Sequence, residues 1–112
     1  LMKIIAIDLD GVLCKSGCWS IEKMLNCKPI KENIEKINKL YKKGHFIVIY
    51  TGRREKYRAV TEAWLKMNGV LYHVLVMEKF PADIYVDERR KLMAIEDLDP
   101  DKFEDVIDDV WG

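Results

Sequence analysis

Apolar and polar positions along this chain fall into short blocks with distinct periods. Lys3–Ile7 is continuously apolar after its first residue, which predicts a strand buried on both faces of a parallel sheet. Residues 12–29 hold Gly17, Cys18, Trp19 and Pro29 with no sustained period, which predicts a loop with one short turn of helix. Between Ile30 and Lys43, Ile34, Ile37, Leu40 and Tyr41 recur at helical spacing, and Gly44 is the expected stop. Phe46–Tyr50 is a second buried strand. Glu55–Asn68 reads as a helix with Val60, Ala63, Trp64 and Met67 on one face, ended by Gly69. Val70–Met77 is a third strand, and Ala82–Val86 a very short fourth. Pro100–Val110 reads as a last helix, with Asp99 as N-cap and Pro100 at its first position.

Strands alternating with helices imply right-handed crossovers and a mostly parallel sheet. The expected fold is α/β: one Rossmann-like, doubly wound domain over residues 1–112. No repeat, low-complexity tract or linker interrupts it. In such folds the ligand site lies outside the carboxyl ends of the strands. A chain of 112 residues buries roughly 65% of its unfolded surface, enough for a core without staples.

Composition narrows the function classes. Nineteen Lys and Arg balance nineteen Asp and Glu, which counts against a nucleic-acid binder built on a broad basic surface. No apolar run reaches the length of a membrane span, and no signal peptide precedes the first strand. Leu1, ahead of Met2, is set aside. Cys14, Cys18 and Cys27 are odd in number, which predicts reduced thiols and a cytoplasmic setting. Three sulfurs plus a fourth ligand could hold zinc, but no CxxC pair is present.

The candidate chemistry sits at the strand ends. The first strand runs into Asp8-Leu9-Asp10-Gly11, the second into Thr51-Gly52-Arg53, and the fourth into Asp87-Glu88. Each taken alone also fits a plain turn or helix cap. Together they bring four carboxylates, a hydroxyl and cations to one edge. Carboxylates that close repel one another, and a divalent cation relieves the repulsion. Oxygen-only ligands favour a hard ion, with Mg²⁺ the usual choice beside phosphate.

The segment "IIAIDLDGVL" resembles the first motif of the haloacid dehalogenase-like (HAD) phosphohydrolases. "FIVIYTGR" is similar to their second motif, and "EKFPADIYVDER" to the third and fourth. The motifs occur in the family's order. The resemblance implies a small, capless phosphatase. The nearest types are proteins associated with polysaccharide biosynthesis and the phosphatase part of phage-type polynucleotide kinase-phosphatases. It makes Asp8 the nucleophile and Asp10 the general acid and base. Mg²⁺ would sit on the Asp8 carboxylate, the Asp10 carbonyl and one acid of Asp87-Glu88; Glu88 stands where the family more often has Asp. Thr51 and the Gly52 amide would hold a phosphate oxygen at a helix start. Lys79 would stabilise the transferring phosphoryl group, with Lys66 and Lys91 as rivals. Arg53 is either a second phosphate contact or a surface charge.

The remaining residues read as structural. His45 and His73 have no partner at ligand spacing, and Trp64 belongs to the core. Trp19 is a loop anchor or a substrate contact, and Arg89 and Arg90 are solvated. The gap between Asp10 and Thr51 leaves no room for a folded cap domain. The expected partner is a small phosphorylated substrate, a sugar phosphate or nucleotide-type monoester. A terminal phosphate on a nucleic acid is the second choice, because "TGRREKYRAVTEAWLKMNGV" looks like the matching region of the polynucleotide phosphatases. A phosphate- or metal-binding regulatory module without turnover is the rival class. No membrane partner is expected, and the oligomeric state is not readable.

Overall fold

The computed structural model describes residues 2–87 and 92–103. Its regular elements are β1 (Ile4–Ile7), α1 (Ile21–Leu25), α2 (Lys31–Lys42), β2 (Phe46–Tyr50), α3 (Arg58–Met67) and β3 (Val74–Val76). Short 3₁₀ turns cover Glu55–Tyr57, Ile95–Asp97 and Pro100–Lys102. The three strands form one parallel sheet in the order β1-β2-β3, with Ile7 opposite Ile49 and Tyr50 opposite Val76. The fold is thus α/β, with helical crossovers between parallel strands.

The central strand follows its pattern. Ile47 and Ile49 are fully buried, while Phe46, Val48 and Tyr50 are half-buried on the opposite side. One apolar cluster joins Ile47 and Ile49 to Ile34, Ile37 and Leu40 of α2 and to Trp64 and Leu65 of α3. The expected face of α2 is therefore the buried one. The positive φ of Gly44 (97°) ends this helix, a conformation that glycine adopts without a Cβ penalty.

Other expectations need correction. β1 is not buried on both faces: Ile4 is 64% exposed and only Ile7 is fully inside. It lies at an edge of the three-stranded sheet, and apolar composition alone does not distinguish covered from uncovered faces. The third strand shrinks from Val70–Met77 to Val74–Val76. Ala82–Val86 forms no strand, and its Ile84 and Val86 are 78% and 94% exposed. Its branched and aromatic residues suit a strand, but no ladder partner meets them among the described residues.

The helix expected from Glu55 begins as a 3₁₀ turn and becomes α only at Arg58. Its buried face is Thr61, Trp64 and Leu65; Ala63 and Met67 point outward. Thr61 turns inward because its hydroxyl has a buried partner, described below, which an apolar pattern does not reveal. The helix expected from Pro100 is only a 3₁₀ turn, Pro100–Lys102, after which Phe103 is extended; Pro100 does stand at its first position, and the Asp99 carboxylate accepts from the Asp101 amide at 3.0 Å. Residues 104–112 lie outside the described residues.

The cysteines also differ from expectation. Cys18 and Cys27 form a disulfide, and Cys14 is buried and free. An odd count allowed one pair plus one thiol, and nothing in the spacing announced which. The pairing removes the ground for inferring a reducing compartment, and it leaves no three free sulfurs for zinc. Among the described residues no helix is long and apolar enough to cross a membrane.

Both histidines hold backbone. The Lys3 amide donates to His45 Nδ1 and the Ile47 amide to His73 Nδ1, each at 3.0 Å. The His73 ring stacks on Tyr41 and on Phe46. Trp64 is 2% exposed, and its indole N–H donates to the Cys27 carbonyl at 2.7 Å, fixing the end of the disulfide loop to α3.

Candidate active site

Past Ile7 the chain leaves β1 but keeps its alternation. Leu9 is fully buried, Asp8 is exposed and Asp10 half-buried. The Leu9 carbonyl then accepts from the amides of Val12, Leu13 and Cys14, and Gly11 adopts a φ of 83°. This tight turn reverses the chain directly behind the two acids. Asp8 is lightly engaged: its Oδ1 accepts from the Leu9 amide at 2.8 Å.

Asp10 is clamped. Arg53 Nε donates to its Oδ2 at 3.0 Å and Nη2 to its Oδ1 at 2.8 Å, a two-point fork. The third nitrogen, Nη1, donates to the Thr61 hydroxyl at 3.0 Å. The guanidinium is almost wholly buried, whereas the Asp10 side chain keeps 18% of its surface. Sequence reading placed Arg53 either on a phosphate or at the surface; the structure commits its donors to Asp10 and Thr61. The only sequence signal for this was Thr61, a polar residue at helical spacing from the core position Trp64.

Beside the pair lies Cys14, whose thiol reaches Asp10 Oδ1 at 3.5 Å. Burial, followed by the neighbouring Asp10 charge, pushes this thiol up to about 12. Cys14 is therefore an inert, protonated packing group rather than a nucleophile.

The ends of β2 and β3 are stitched together. The Thr51 amide donates to Val76, the Lys79 amide to Thr51 at 2.9 Å, and the Glu78 amide to Arg53 at 2.8 Å. Glu78 takes a φ of 60°, strained for a side chain other than glycine, to make this crossing. Thr51 is buried, with its hydroxyl accepting from the Arg53 amide at 3.2 Å. Gly52 is exposed, and a Cβ there would stand 3.5 Å from the Lys79 carbonyl. Thr51 and Gly52 were expected beside the start of a helix running from Glu55; the 3₁₀ turn Glu55–Tyr57 stands there instead, and α3 begins only at Arg58.

The Lys79 ammonium lies over the rings of Tyr50 and Tyr85, at 5.3 and 5.7 Å from their centroids. It makes no ion pair among the described residues. Lys66 is exposed on α3. Asp87 is exposed, while Glu88, Arg89, Arg90 and Lys91 lie outside the described residues. Among the described residues, no three His, Cys, Asp or Glu side chains converge as a metal-binding group. Trp19, in the disulfide loop, is 70% exposed.

No protein-family model matches this chain, and no curated protein matches it. Solved structures do. A structure-determination target from Vibrio cholerae is 25% identical at a TM-score of 0.62, covering 77% of this chain and 80% of that one. Two chains from Pnkp1/Rnl/Hen1 complexes, one described as an RNA repair complex, are 22% and 21% identical at the same TM-score. They cover 76% and 75% of this chain, which spans only 31% and 28% of theirs. These likenesses establish a shared α/β fold.

Proposed function

We propose that this chain is a phosphomonoester hydrolase of the HAD type, a single capless domain with a Rossmann-like, doubly wound sheet. The observation that carries the reading is the joining of the strand ends. Arg53, from the loop after β2, grips Asp10, from the loop after β1, and backbone bonds seat Lys79 against Thr51. Four of the residues singled out by motif, Asp10, Thr51, Arg53 and Lys79, are thereby linked pairwise beyond the ends of β1 and β2.

Asp8 has the exposure a nucleophile needs, and its carboxylate attacks phosphorus to give an aspartyl-phosphate. Asp10 gives its proton to the leaving oxygen, then takes one from the attacking water. Arg53 fixes the Asp10 carboxylate for both steps. Each carboxylate oxygen has two lone-pair sites, and the fork occupies one on each. The Cys14 thiol reaches the second site of Oδ1, so Oδ2 is the oxygen that carries the proton in transit. The Gly52 amide and Thr51 hold a phosphate oxygen, and Lys79 meets the developing charge.

Oxygen donors of the kind Mg²⁺ takes are present, although Asp8, Asp10 and Asp87 do not converge as a metal-binding group among the described residues. One Asp8 oxygen is uncommitted to the Leu9 amide, the Asp10 carbonyl accepts no hydrogen bond among the described residues, and Asp87 is exposed. Asp8, the Asp10 carbonyl and Asp87 or Glu88 would hold the ion. When bound, it would neutralise charge shared by nucleophile and phosphate.

A sugar phosphate or nucleotide-type monoester suits an open edge without a cap. The second reading, a polynucleotide 3′-phosphatase, draws on the stretch from Thr51 to Val70 and on the RNA repair setting of one structural neighbour. The test is hydrolysis of para-nitrophenyl phosphate, a sugar phosphate and a 3′-phosphorylated oligonucleotide, each with Mg²⁺ and with chelator. Mg²⁺-dependent release of phosphate supports the reading, and the preferred ester separates its two forms. Phosphate binding without turnover on any ester would replace it with a regulatory module.

A further inference from the structure

The motif account leaves unused the aromatic setting of Lys79. An exposed lysine ordinarily samples many rotamers, with its ammonium in water. Here the ammonium sits within cation–π range of two tyrosine faces. Tyr50 is the last residue of β2, adjacent to Thr51, so its ring is carried by the central strand. Tyr85 comes from the following segment and is tied down at its hydroxyl. That group donates to the Phe80 carbonyl and accepts from the Ala82 amide at 3.2 Å. Two rings on separately anchored backbone thus converge on one ammonium. No carboxylate among the described residues competes for it.

We propose that Tyr50 and Tyr85 are positioning residues for Lys79, whose ring faces hold its ammonium at the carboxyl edge of the sheet in readiness for a phosphoryl oxygen. The catalytic consequence rests on the phosphatase reading; the placement of the ammonium does not. An aromatic face holds a cation without neutralising it, as a carboxylate would, so the charge stays available to an anion. The Lys79 amide, bonded to the Thr51 carbonyl, fixes the other end of the side chain.

The test uses the full chain with ¹³C-labelled lysine, the Lys79 Cε signal being identified by its loss in Lys79→Arg. Ring currents from the two tyrosine faces should move that signal and its protons upfield of the other lysines. Tyr50→Leu and Tyr85→Leu should each return it toward them, and Tyr50→Phe should rescue it. With turnover, each Leu variant should lower kcat about two- to five-fold with little change in KM, the range expected for one exposed cation–π contact. Tyr50→Phe should recover the loss. A Lys79 signal indistinguishable from other lysines overturns the proposal. So does a shifted signal with kcat unaltered in both Leu variants, which would leave the phosphatase reading standing. Were the wild type to hydrolyse no ester, that reading would fail, and titration with inorganic phosphate on the Lys79 signal would decide the inference. Binding weakened about two- to five-fold in the Leu variants supports it, and equal binding overturns it.

Discussion

The Asp10–Arg53 pair makes an asymmetric prediction about stability. Asp10→Asn removes the partner of a guanidinium whose side chain is only 3% exposed. Stranding a buried charge typically costs about 3–5 kcal/mol. The asparagine oxygen still accepts one bond and Thr61 still takes Nη1, so the lower part of that range is expected. Arg53→Met strands the other partner. Asp10 keeps 18% of its side-chain surface, so water can reach it, and methionine fills most of the vacated space. That change should cost about 1–3 kcal/mol, chiefly the unpaired Thr61 hydroxyl and the lost charged hydrogen bonds. The double variant should be more stable than Asp10→Asn alone, because it removes the stranded charge. Urea unfolding followed by circular dichroism measures all four corners of this cycle. For a domain of this size each kcal/mol also moves the thermal midpoint by about 4–8 °C. Additive losses, or an Asp10→Asn midpoint matching wild type, would refute the buried clamp.

Asp8→Asn should abolish turnover yet leave the unfolding midpoint within about 0.5 kcal/mol of wild type, since Asp8 is exposed and its one bond is to its own neighbour; unfolding curves and a phosphate-release assay check both halves. The Cys14 thiol is raised in the folded state, so its contribution is whole below the ordinary value of 9.0 and is lost as pH climbs toward about 12. Urea midpoints should therefore fall between pH 9 and pH 11, and fall less steeply in Cys14→Ala. Reducing the Cys18–Cys27 disulfide with a phosphine should lower stability by about 2–3 kcal/mol, as expected for a loop this short; an unchanged midpoint would contradict a bonded pair.

Much of the frame was legible because burial has a period. Ile34, Ile37 and Leu40 on α2, and Ile47 and Ile49 on β2, are inside as their spacing requires. The strand ends were legible because a polar group directly after an apolar run has few reasons to be there. Other features depend on which pieces meet. Ile84 and Val86 look like core by composition, yet lie in the open with no ladder partner among the described residues. Arg53 read as a phosphate contact or a surface charge because its partners, Asp10 and Thr61, stand 43 and 8 positions away along the chain. The disulfide was invisible for the same reason: Cys18 and Cys27 meet only because α1 folds the loop back.

The proposed chemistry turns on a covalent intermediate at Asp8 that Asp10 helps to hydrolyse. Loss of the Asp10 base should let para-nitrophenyl phosphate load the enzyme while water attack lags, general base help being typically worth about 10²–10⁴-fold. The direct measurement is rapid acid quench of Asp10→Asn with this substrate and Mg²⁺, below its unfolding temperature, followed by mass spectrometry of the peptide containing Asp8. The account predicts a burst of nitrophenol matched by one phosphoryl group on Asp8, and neither in Asp8→Asn. Wild-type turnover by Asp8→Asn, or a burst in Asp10→Asn with no phosphoryl group on Asp8, would contradict it.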